Sequence, residues 1–302
     1  MARDEPAPAS QGAVRHYGGP SRPALRWHGG KWRLATWVIQ HFPPHRIYVE
    51  PYGGAASVLL RKPRSYAEIY NDLDDGVVNL FRVLRSDRAA ELLRALELTP
   101  FARSCFEESY LPTDDPIEAA RRLVVRSFQG FGSDGHNPRQ RTGFRASSNR
   151  SGTTPAHDWA NLPAALRAIV QRMQGVVIES RHAMDICAQH DSPETLHYLD
   201  PPYMPDTRSM KSRRGGAKYH AYTHEMTEAD HFAMLQAIQG LRGAVVLSGY
   251  PHALYDDALR GWRRVTRAAH ADGARDRIEA LWINPVADAG LAQRLLIGEA
   301  YA

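Results

Sequence analysis

The sequence predicts an α/β fold: a seven-stranded Rossmann-like sheet, mostly parallel with a late antiparallel hairpin, plus a small helical insert. Three observations support it. Short apolar strand segments alternate with helical patterns near both ends of the chain. That alternation stops between residues 86 and 174, where only helical periodicity remains. Two strand-like segments then follow one another late in the chain, as expected for a hairpin at a sheet edge.

Composition narrows the class of protein. The chain has 302 residues, is 43% hydrophobic and carries a net charge of +5 with a pI near 9.3. This net positive charge is compatible with a polyanionic partner, although a GC-rich genome would also raise the arginine content. Its two cysteines lack metal-ligand spacing, and no apolar run reaches membrane-spanning length. We therefore expect a cytoplasmic protein with no metal site and no membrane association.

The first elements surround two glycine-containing turns. Residues 1–21 are rich in Ala, Pro, Gly and Ser and predict a flexible tail. Residues 27–31 read Trp-His-Gly-Gly-Lys, and the paired glycines would let a ligand approach the backbone closely. The alternative is a simple turn before a helix at 32–41. A strand at 46–50 runs into Glu-Pro-Tyr-Gly-Gly and then a helix around residues 58–60. Strand, small-residue loop and helix indicate a nucleotide-type site without a phosphate P-loop.

A second strand, at residues 68–72, ends on Asp72. An acid at this distance from the glycine loop can bind ribose hydroxyls. It can equally cap the helix predicted over residues 73–85, and one carboxylate can do both.

The interval from 86 to 174 predicts helices around 89–96, from Pro116 and at 162–173. Between the last two helices lies a long polar loop that contains arginines, amide side chains and a phenylalanine. Such side chains suit contacts to DNA phosphates and base edges, and the alternative is a loop that is simply exposed to solvent. The arginines concerned are Arg139, Arg141, Arg145 and Arg150.

The strand pattern resumes at 176–179 and, after a short helix at 184–189, at 195–199. This last strand runs into Asp200-Pro201-Pro202-Tyr203, where the prolines fix the path of the backbone. A carboxylate, carbonyl groups and an aromatic ring at a strand's carboxyl end suit a flat base held by its amino group. The alternative is an ordinary turn followed by a surface tyrosine.

The remaining segments complete the sheet. A capping box at Thr227 and Asp230 predicts a helix to Gln239, and strands are predicted at 244–247, 263–267 and 277–283. Before them, residues 206–218 form a basic, glycine-rich segment that resembles a mobile flap over the site. Its basic residues are Arg208, Lys211, Arg213, Arg214 and Lys218, which we expect to contact DNA.

Taken in order, the motifs resemble those of Dam-type (alpha-class) adenine-N6 DNA methyltransferases, particularly phage and prophage members. The resemblance rests on Trp-His-Gly-Gly-Lys, Val-Glu-Pro-Tyr-Gly-Gly, Tyr-Asn-Asp-Leu-Asp and Tyr-Leu-Asp-Pro-Pro-Tyr, with residues 219–247 and 279–284, and covers roughly residues 24–285. It implies transfer of a methyl group from S-adenosylmethionine to N6 of a flipped adenine in double-stranded DNA. It also implies a methyltransferase domain formed by residues 22–85 and 175–302, interrupted by a target-recognition insert at 86–174.

The resemblance also assigns residues. Asp200, Pro201, Pro202 and Tyr203 match the motif that holds the target adenine, with Asp200 and the Pro201 carbonyl accepting the amino hydrogens and Tyr203 stacking on the base. The chain departs from the family at Ala56, where a glycine is usual, and at His182, which occupies the region of an acid that binds the cofactor's adenine. The expected cofactor-binding residues are Trp27, Lys31, Glu50, Pro51, Tyr52, Gly53, Gly54, Asp72, His182 and Asp200.

Other functions remain open at this level. An RNA adenine-N6 or DNA cytosine-N4 methyltransferase needs the same geometry around an exocyclic amine. A catalytically inactive DNA-binding module would share the fold. We further expect a monomer, with a cognate restriction endonuclease as a possible partner.

Overall fold

The computed structural model of the chain describes residues 19–133, 135, 141–147, 152–207, 224–271 and 275–296. The predicted N-terminal tail lies almost wholly outside these residues, as does nearly all of the basic segment at 206–218. Within them, the α/β class and the seven-stranded sheet are confirmed. No helix in these ranges is both long and apolar enough to cross a membrane.

The sheet has the strand order β3-β2-β1-β4-β5-β7-β6. The first five strands in that order are parallel, whereas β7 runs antiparallel to both β5 and β6. The strand order reverses between β1 and β4, which is where open α/β sheets bind their ligands. The strands are β1 Ile47–Glu50, β2 Ala67–Asn71, β3 Val176–Glu179, β4 Thr195–Leu199, β5 Ala244–Gly249, β6 Arg263–Ala271 and β7 Arg275–Ile283.

Helices cover the sheet and fill the interval between β2 and β3. The capping box predicted at Thr227 and Asp230 is confirmed, with both of its hydrogen bonds present. The helices are α1 Ala35–Gln40, α2 Asp75–Leu84, α3 Ala89–Leu98, α4 Arg103–Glu108, α5 Pro116–Gln129, α6 Pro155–Ala160, α7 Leu162–Arg172, α8 Ala183–Gln189, α9 Glu228–Gln239, α10 Ala253–Ala258 and α11 Pro285–Leu296.

Two local predictions were wrong. The helix expected directly after the glycine loop is a series of turns over residues 54–61. Ala56 has a left-handed backbone with φ of +54°, which an α-helix cannot include, and the helical hydrogen bonds that follow join Leu60 to Ala56 and Lys62 to Val58. Asp72 does not cap α2. The cap is Asp74, whose side chain accepts hydrogen bonds from the amides of Gly76 and Val77.

The helices α3–α7 of the insert are tied to the sheet by a buried ion cluster. Arg172, at the end of α7, places Nη1 2.6 Å from Glu68 Oε2 on β2. Lys62 lies 2.7 Å from the other oxygen of Glu68. Two cations around one buried carboxylate offset its desolvation and fix the end of the insert against β2.

The β6–β7 hairpin is longer than predicted and extends past the parallel strands. The last pair between β5 and β7 joins Gly249 to Ala280. Residues 275–279 of β7 continue beyond that pair and bond to β6. At roughly 3.3 Å per residue, the hairpin projects about 17 Å from the end of β5, on the side of the sheet where β4 also ends.

Candidate active site

A cavity of about 600 Å³ opens at the carboxyl ends of β1, β2 and β4. All ten residues predicted to bind the cofactor line it, from Trp27 to Asp200. Pro202 also lines it. The parallel strands explain this convergence, since their carboxyl ends share one edge of the sheet although the residues are far apart in sequence.

The turn at residues 27–31 delivers Lys31 into the site. The turn is closed by a hydrogen bond from the Gly30 amide to the Trp27 carbonyl, with Gly29 at φ of +70°. The Lys31 ammonium lies 2.9 Å from Asp200 Oδ1 and donates to the Gly29 carbonyl at 2.8 Å. Its charge therefore faces the carboxylate of Asp200, the residue expected to hold the target amine.

The glycine loop after β1 is shaped by its own neighbours. A Cβ on Gly53 would lie 2.2 Å from Tyr70 Cε2, and a Cβ on Gly54 would lie 2.7 Å from Trp27 Nε1. The Tyr70 hydroxyl donates to the Gly54 carbonyl at 2.7 Å. Glycine is thus required here for close packing against two aromatic rings, of which that of Trp27 lines the cavity.

Asp72 holds the same loop. Its two carboxylate oxygens accept hydrogen bonds from the amides of Gly54, at 2.7 Å, and Asp74, at 2.8 Å. Burial raises the pKa of Asp72 to about 6, against the opposing effect of these amides. Each oxygen can accept a further hydrogen bond and Asp72 lines the cavity, so the carboxylate can still accept a ligand hydroxyl.

Glu50 is a buried acid at the end of β1. One of its oxygens accepts hydrogen bonds from the Tyr48 hydroxyl at 2.6 Å and the Leu59 amide at 2.9 Å. Burial nevertheless raises the pKa of Glu50 to about 8, and the nearby Asp200 carboxylate adds to the increase. The side chain is therefore protonated at neutral pH unless a cation enters the cavity.

Asp200 and Tyr203 lie at the end of β4, as predicted. Burial raises the pKa of Asp200, and the ammonium of Lys31 opposes the increase. Tyr203 is only 5% exposed, so its interpretation as a surface tyrosine is wrong. Its hydroxyl is 2.8 Å from Glu279 Oε2 and 2.9 Å from Ser248 Oγ. The Lys31 ammonium lies 4.6 Å from the centre of its ring.

Sequence reasoning missed one wall of the cavity. Methionine and alanine side chains from α8, α9 and the segment before α9 form this wall, together with His224 and Asp230. Polarizable methionines pack well against aromatic rings, so this wall suits a planar group. The signal in the sequence is the spacing of Ala233 and Ala237, which lie one helical turn apart on α9. The methionines are Met184, Met226 and Met234.

The predicted DNA-binding arginines are only partly described. Arg139 and Arg150 lie outside the described residues, as do Arg208, Lys211, Arg213, Arg214 and Lys218. Arg141 is exposed, with its guanidinium 5.4 Å from the ring centre of Tyr110.

Arg145 and its neighbour Phe144 are turned into the insert. The Arg145 guanidinium is buried and donates to the Phe128 carbonyl at 3.0 Å. The Phe144 ring packs against Phe101 and Phe106 at 5.0 and 5.7 Å. These contacts anchor the loop to α4 and α5, which leaves Arg141 as the better placed of the two described arginines for a partner.

Comparison with known proteins gives one family. The sequence model of the D12 class N6 adenine-specific DNA methyltransferases matches residues 27–242, more than two thirds of the chain. A DNA adenine methylase of Salmonella typhi is 26% identical over 257 residues, which cover 82% of this chain and 86% of the relative. One of Escherichia coli K12 is 25% identical over 222 residues, or 70% and 74% of the two chains. The family match begins at Trp27 and includes the whole interval from β1 to α9.

Proposed function

The chain belongs to the D12 class of N6 adenine-specific DNA methyltransferases and methylates adenine in DNA; we propose that it takes the methyl group from S-adenosylmethionine bound in the cavity at the ends of β1, β2 and β4. The observation that carries the proposal is the convergence of Lys31, Glu50, Asp72 and Asp200 on one cavity of about 600 Å³.

The lining fits this cofactor in charge and shape. S-adenosylmethionine carries a sulfonium and an ammonium cation besides its own carboxylate, and the cavity presents the buried carboxyl group of Glu50 and the partly exposed carboxyl groups of Asp72 and Asp200. A cation beside Glu50 would favour its ionised form and so recover the cost of burial. The methionine wall offers an apolar surface for an adenine ring. The volume is in the range of small-molecule sites, about 300–1,000 Å³.

Within this arrangement we assign separate tasks to the cofactor residues. Asp72 would accept ribose hydroxyls, with the glycine loop held against Trp27 so that the ligand can approach the backbone. Glu50 would face the cationic methionine part. His182 precedes α8 without capping it through its side chain, and lines the cavity beside Met184. A neutral imidazole there can accept a hydrogen bond from the cofactor's adenine amine.

Asp200 and the Pro201 carbonyl would hold the target amine. The bound cofactor supplies an electrophilic methyl group. The adenine N6 lone pair is delocalised into the ring, so the nitrogen is a poor nucleophile until both amino hydrogens are engaged by acceptors. Asp200 can accept one hydrogen and the Pro201 carbonyl the other, which turns the lone pair away from the ring. Burial raises the pKa of Asp200, which suits a group that receives the proton N6 must lose.

Tyr203 borders the position of the extruded base, which cannot react inside the duplex. The Lys31 ammonium lies over its ring, and the ring of Tyr250 packs against it at 4.5 Å. Stacking of adenine on Tyr203 therefore requires the Lys31 ammonium to move off the ring. Pro202 keeps the backbone extended between Asp200 and Tyr203.

We propose double-stranded DNA as the substrate, read by the helical insert at 86–174 and by the hydrogen-bonding and basic groups of its loop. Arg141 is the described exposed arginine of that loop. A monomeric state, a cytoplasmic location and a cognate restriction endonuclease stay proposals.

Tritiated methyl transfer tests the function directly. The purified chain should transfer label from S-adenosylmethionine to unmethylated duplex DNA in preference to RNA, and mass spectrometry should identify N6-methyladenine. Asp200→Ala should abolish transfer, whereas Asp257→Ala, at an exposed acid on α10, should not. Wild-type turnover by Asp200→Ala would refute the assignment, and N4-methylcytosine or labelled RNA would favour the alternative amino methyltransferases.

A further inference from the structure

Strand β7 contributes two polar side chains at the edge of the site. Arg277 and Glu279 lie in the part of β7 beyond its last pair with β5, two residues apart. Alternation along a strand places both on the same face. Ile278, between them, points to the opposite face and is 55% exposed.

Each of the two side chains holds one tyrosine hydroxyl. Glu279 Oε2 accepts the hydrogen bond from the Tyr203 hydroxyl at 2.8 Å. Arg277 Nη1 donates to the Tyr250 hydroxyl at 2.7 Å, and its guanidinium carbon lies 5.2 Å from the centre of the same ring. The two rings meet edge to face, with centroids 4.5 Å apart and planes inclined by 75°.

These tyrosines follow the ends of β4 and β5, so three strands converge beside Asp200. Lys31 joins the groups, since its ammonium pairs with Asp200 and also lies over the Tyr203 ring. Tyr250 is half-buried and lies on the outer side of this group of residues, whereas Tyr203 is buried and lies on the inner side.

Packing alone does not account for an acid at Glu279. The side chain is only 7% exposed. Burial and the Asp200 carboxylate both raise the pKa of Glu279, whereas Lys31 and Arg277 lower it. Of its titratable neighbours, Arg277 is on β7, Asp200 and Tyr203 follow β4, and Lys31 belongs to the turn before α1. A phenylalanine at 203 with an apolar residue at 279 would fill this space without the cost of a buried carboxyl group.

We propose that Glu279 and Arg277 are positioning residues for methyl transfer, which hold Tyr203 and Tyr250 by their hydroxyl groups as an aromatic corner against which the target adenine is placed. This inference rests on the proposed function. A flat base needs a rigid surface to orient its amino group toward Asp200, and a ring fixed at its hydroxyl as well as its backbone cannot rotate away. The role of β7 is thus to orient groups on β4 and β5.

Four variants test the inference in the methyl-transfer assay on unmethylated duplex DNA. Glu279→Ala should lower kcat by about 10- to 100-fold, as expected for a misplaced reacting group, with the KM for S-adenosylmethionine changed by less than about twofold. Glu279→Gln keeps an acceptor for the Tyr203 hydroxyl and should restore kcat to within about threefold of wild type. Arg277→Met should lower kcat by a smaller factor. Ile278→Ala, on the other face of the same strand, should leave kcat unchanged.

A double-mutant cycle separates positioning from general damage. Tyr203→Phe removes the other half of the hydrogen bond, so Tyr203→Phe with Glu279→Ala should cost no more than the worse single change. Wild-type kcat in both Glu279→Ala and Arg277→Met would overturn the inference. So would a loss that Glu279→Gln fails to restore. If the wild-type chain failed to methylate DNA, the proposed function would be refuted together with the inference. If the wild-type chain methylated DNA and the variants had the same kcat, only the inference would be refuted.

Discussion

Glu50 makes the stability of the protein depend on pH in a defined direction. Its pKa is raised from 4.5 to about 8 by burial. Between these values the unfolded chain has lost the Glu50 proton while the folded chain keeps it. The free energy of unfolding therefore falls as pH rises through this interval, at about 1.4 kcal/mol per pH unit. The contribution is complete below about pH 4.5 and is lost by about pH 8.

Glu50→Gln should remove this dependence, because glutamine does not titrate and its carbonyl can accept the hydrogen bonds from Tyr48 and Leu59. Urea unfolding at pH 5.5 and 7.5 should show a decline that is larger in wild type than in Glu50→Gln by about 2.7 kcal/mol. Asp72, with its pKa raised to about 6, contributes a decline of the same sign to both proteins. The difference between them therefore isolates Glu50.

The same pair of proteins tests whether Glu50 faces the cofactor. If the cation of S-adenosylmethionine requires ionised Glu50, the affinity of wild type should rise by up to about tenfold per pH unit between pH 6 and 8, and that of Glu50→Gln should not. Calorimetric titration measures both. Parallel stability curves for the two proteins would refute the reasoning about burial, and parallel affinity curves would refute the placement of the cofactor.

Three further changes have expected outcomes. Lys31→Met should destabilise the protein by about 3–5 kcal/mol in urea unfolding, because it leaves the Asp200 carboxylate without the cation beside it. An unchanged urea midpoint would contradict the ion pair between Lys31 and Asp200. Arg172→Met should lower the free energy of unfolding by a similar amount, because it removes the Nη1 contact to Glu68. Methyl transfer per folded molecule should stay at the wild-type rate, since neither residue of the pair lines the cavity. Arg141→Gln should reduce the slope of log affinity for DNA against log salt by about one without changing cofactor affinity, and an unaltered slope would remove it from the DNA interface.

The sheet, and the convergence of the expected cofactor residues on one cavity, could be predicted because the signals are local. β4 was predicted with its observed bounds, since residues 195–199 form an uninterrupted buried segment that ends in the stiff Asp200-Pro201-Pro202 turn. The ten residues expected to bind the cofactor lie at the end of a strand, shortly after one or in a glycine turn. Parallel strand topology then brings them to one edge of the sheet.

The errors came from interactions that local pattern does not encode. The turns after the glycine loop depend on the left-handed backbone of Ala56, a conformation that its residue type disfavours. The hydrogen bond between Tyr203 and Glu279 joins residues 76 positions apart, and it depends on β7 pairing antiparallel beside β5. The charged residues Arg277 and Glu279 of the predicted strand are visible in the sequence, but the sequence does not show what they would contact.

The position of the insert has a consequence for the evolution of sequence specificity. Helices α2–α7 occupy the crossover between β2 and β3, which are hydrogen-bonded neighbours, so the two ends of this crossover meet the sheet at adjacent strands. A segment of this kind can be exchanged for that of a relative without changing strand order or the cavity. If the insert reads the DNA sequence, as proposed above, such a chimera would recognise a different DNA sequence with the same chemistry, provided that the incoming segment keeps an arginine at the position of Arg172 to complete the ion cluster with Glu68 and Lys62.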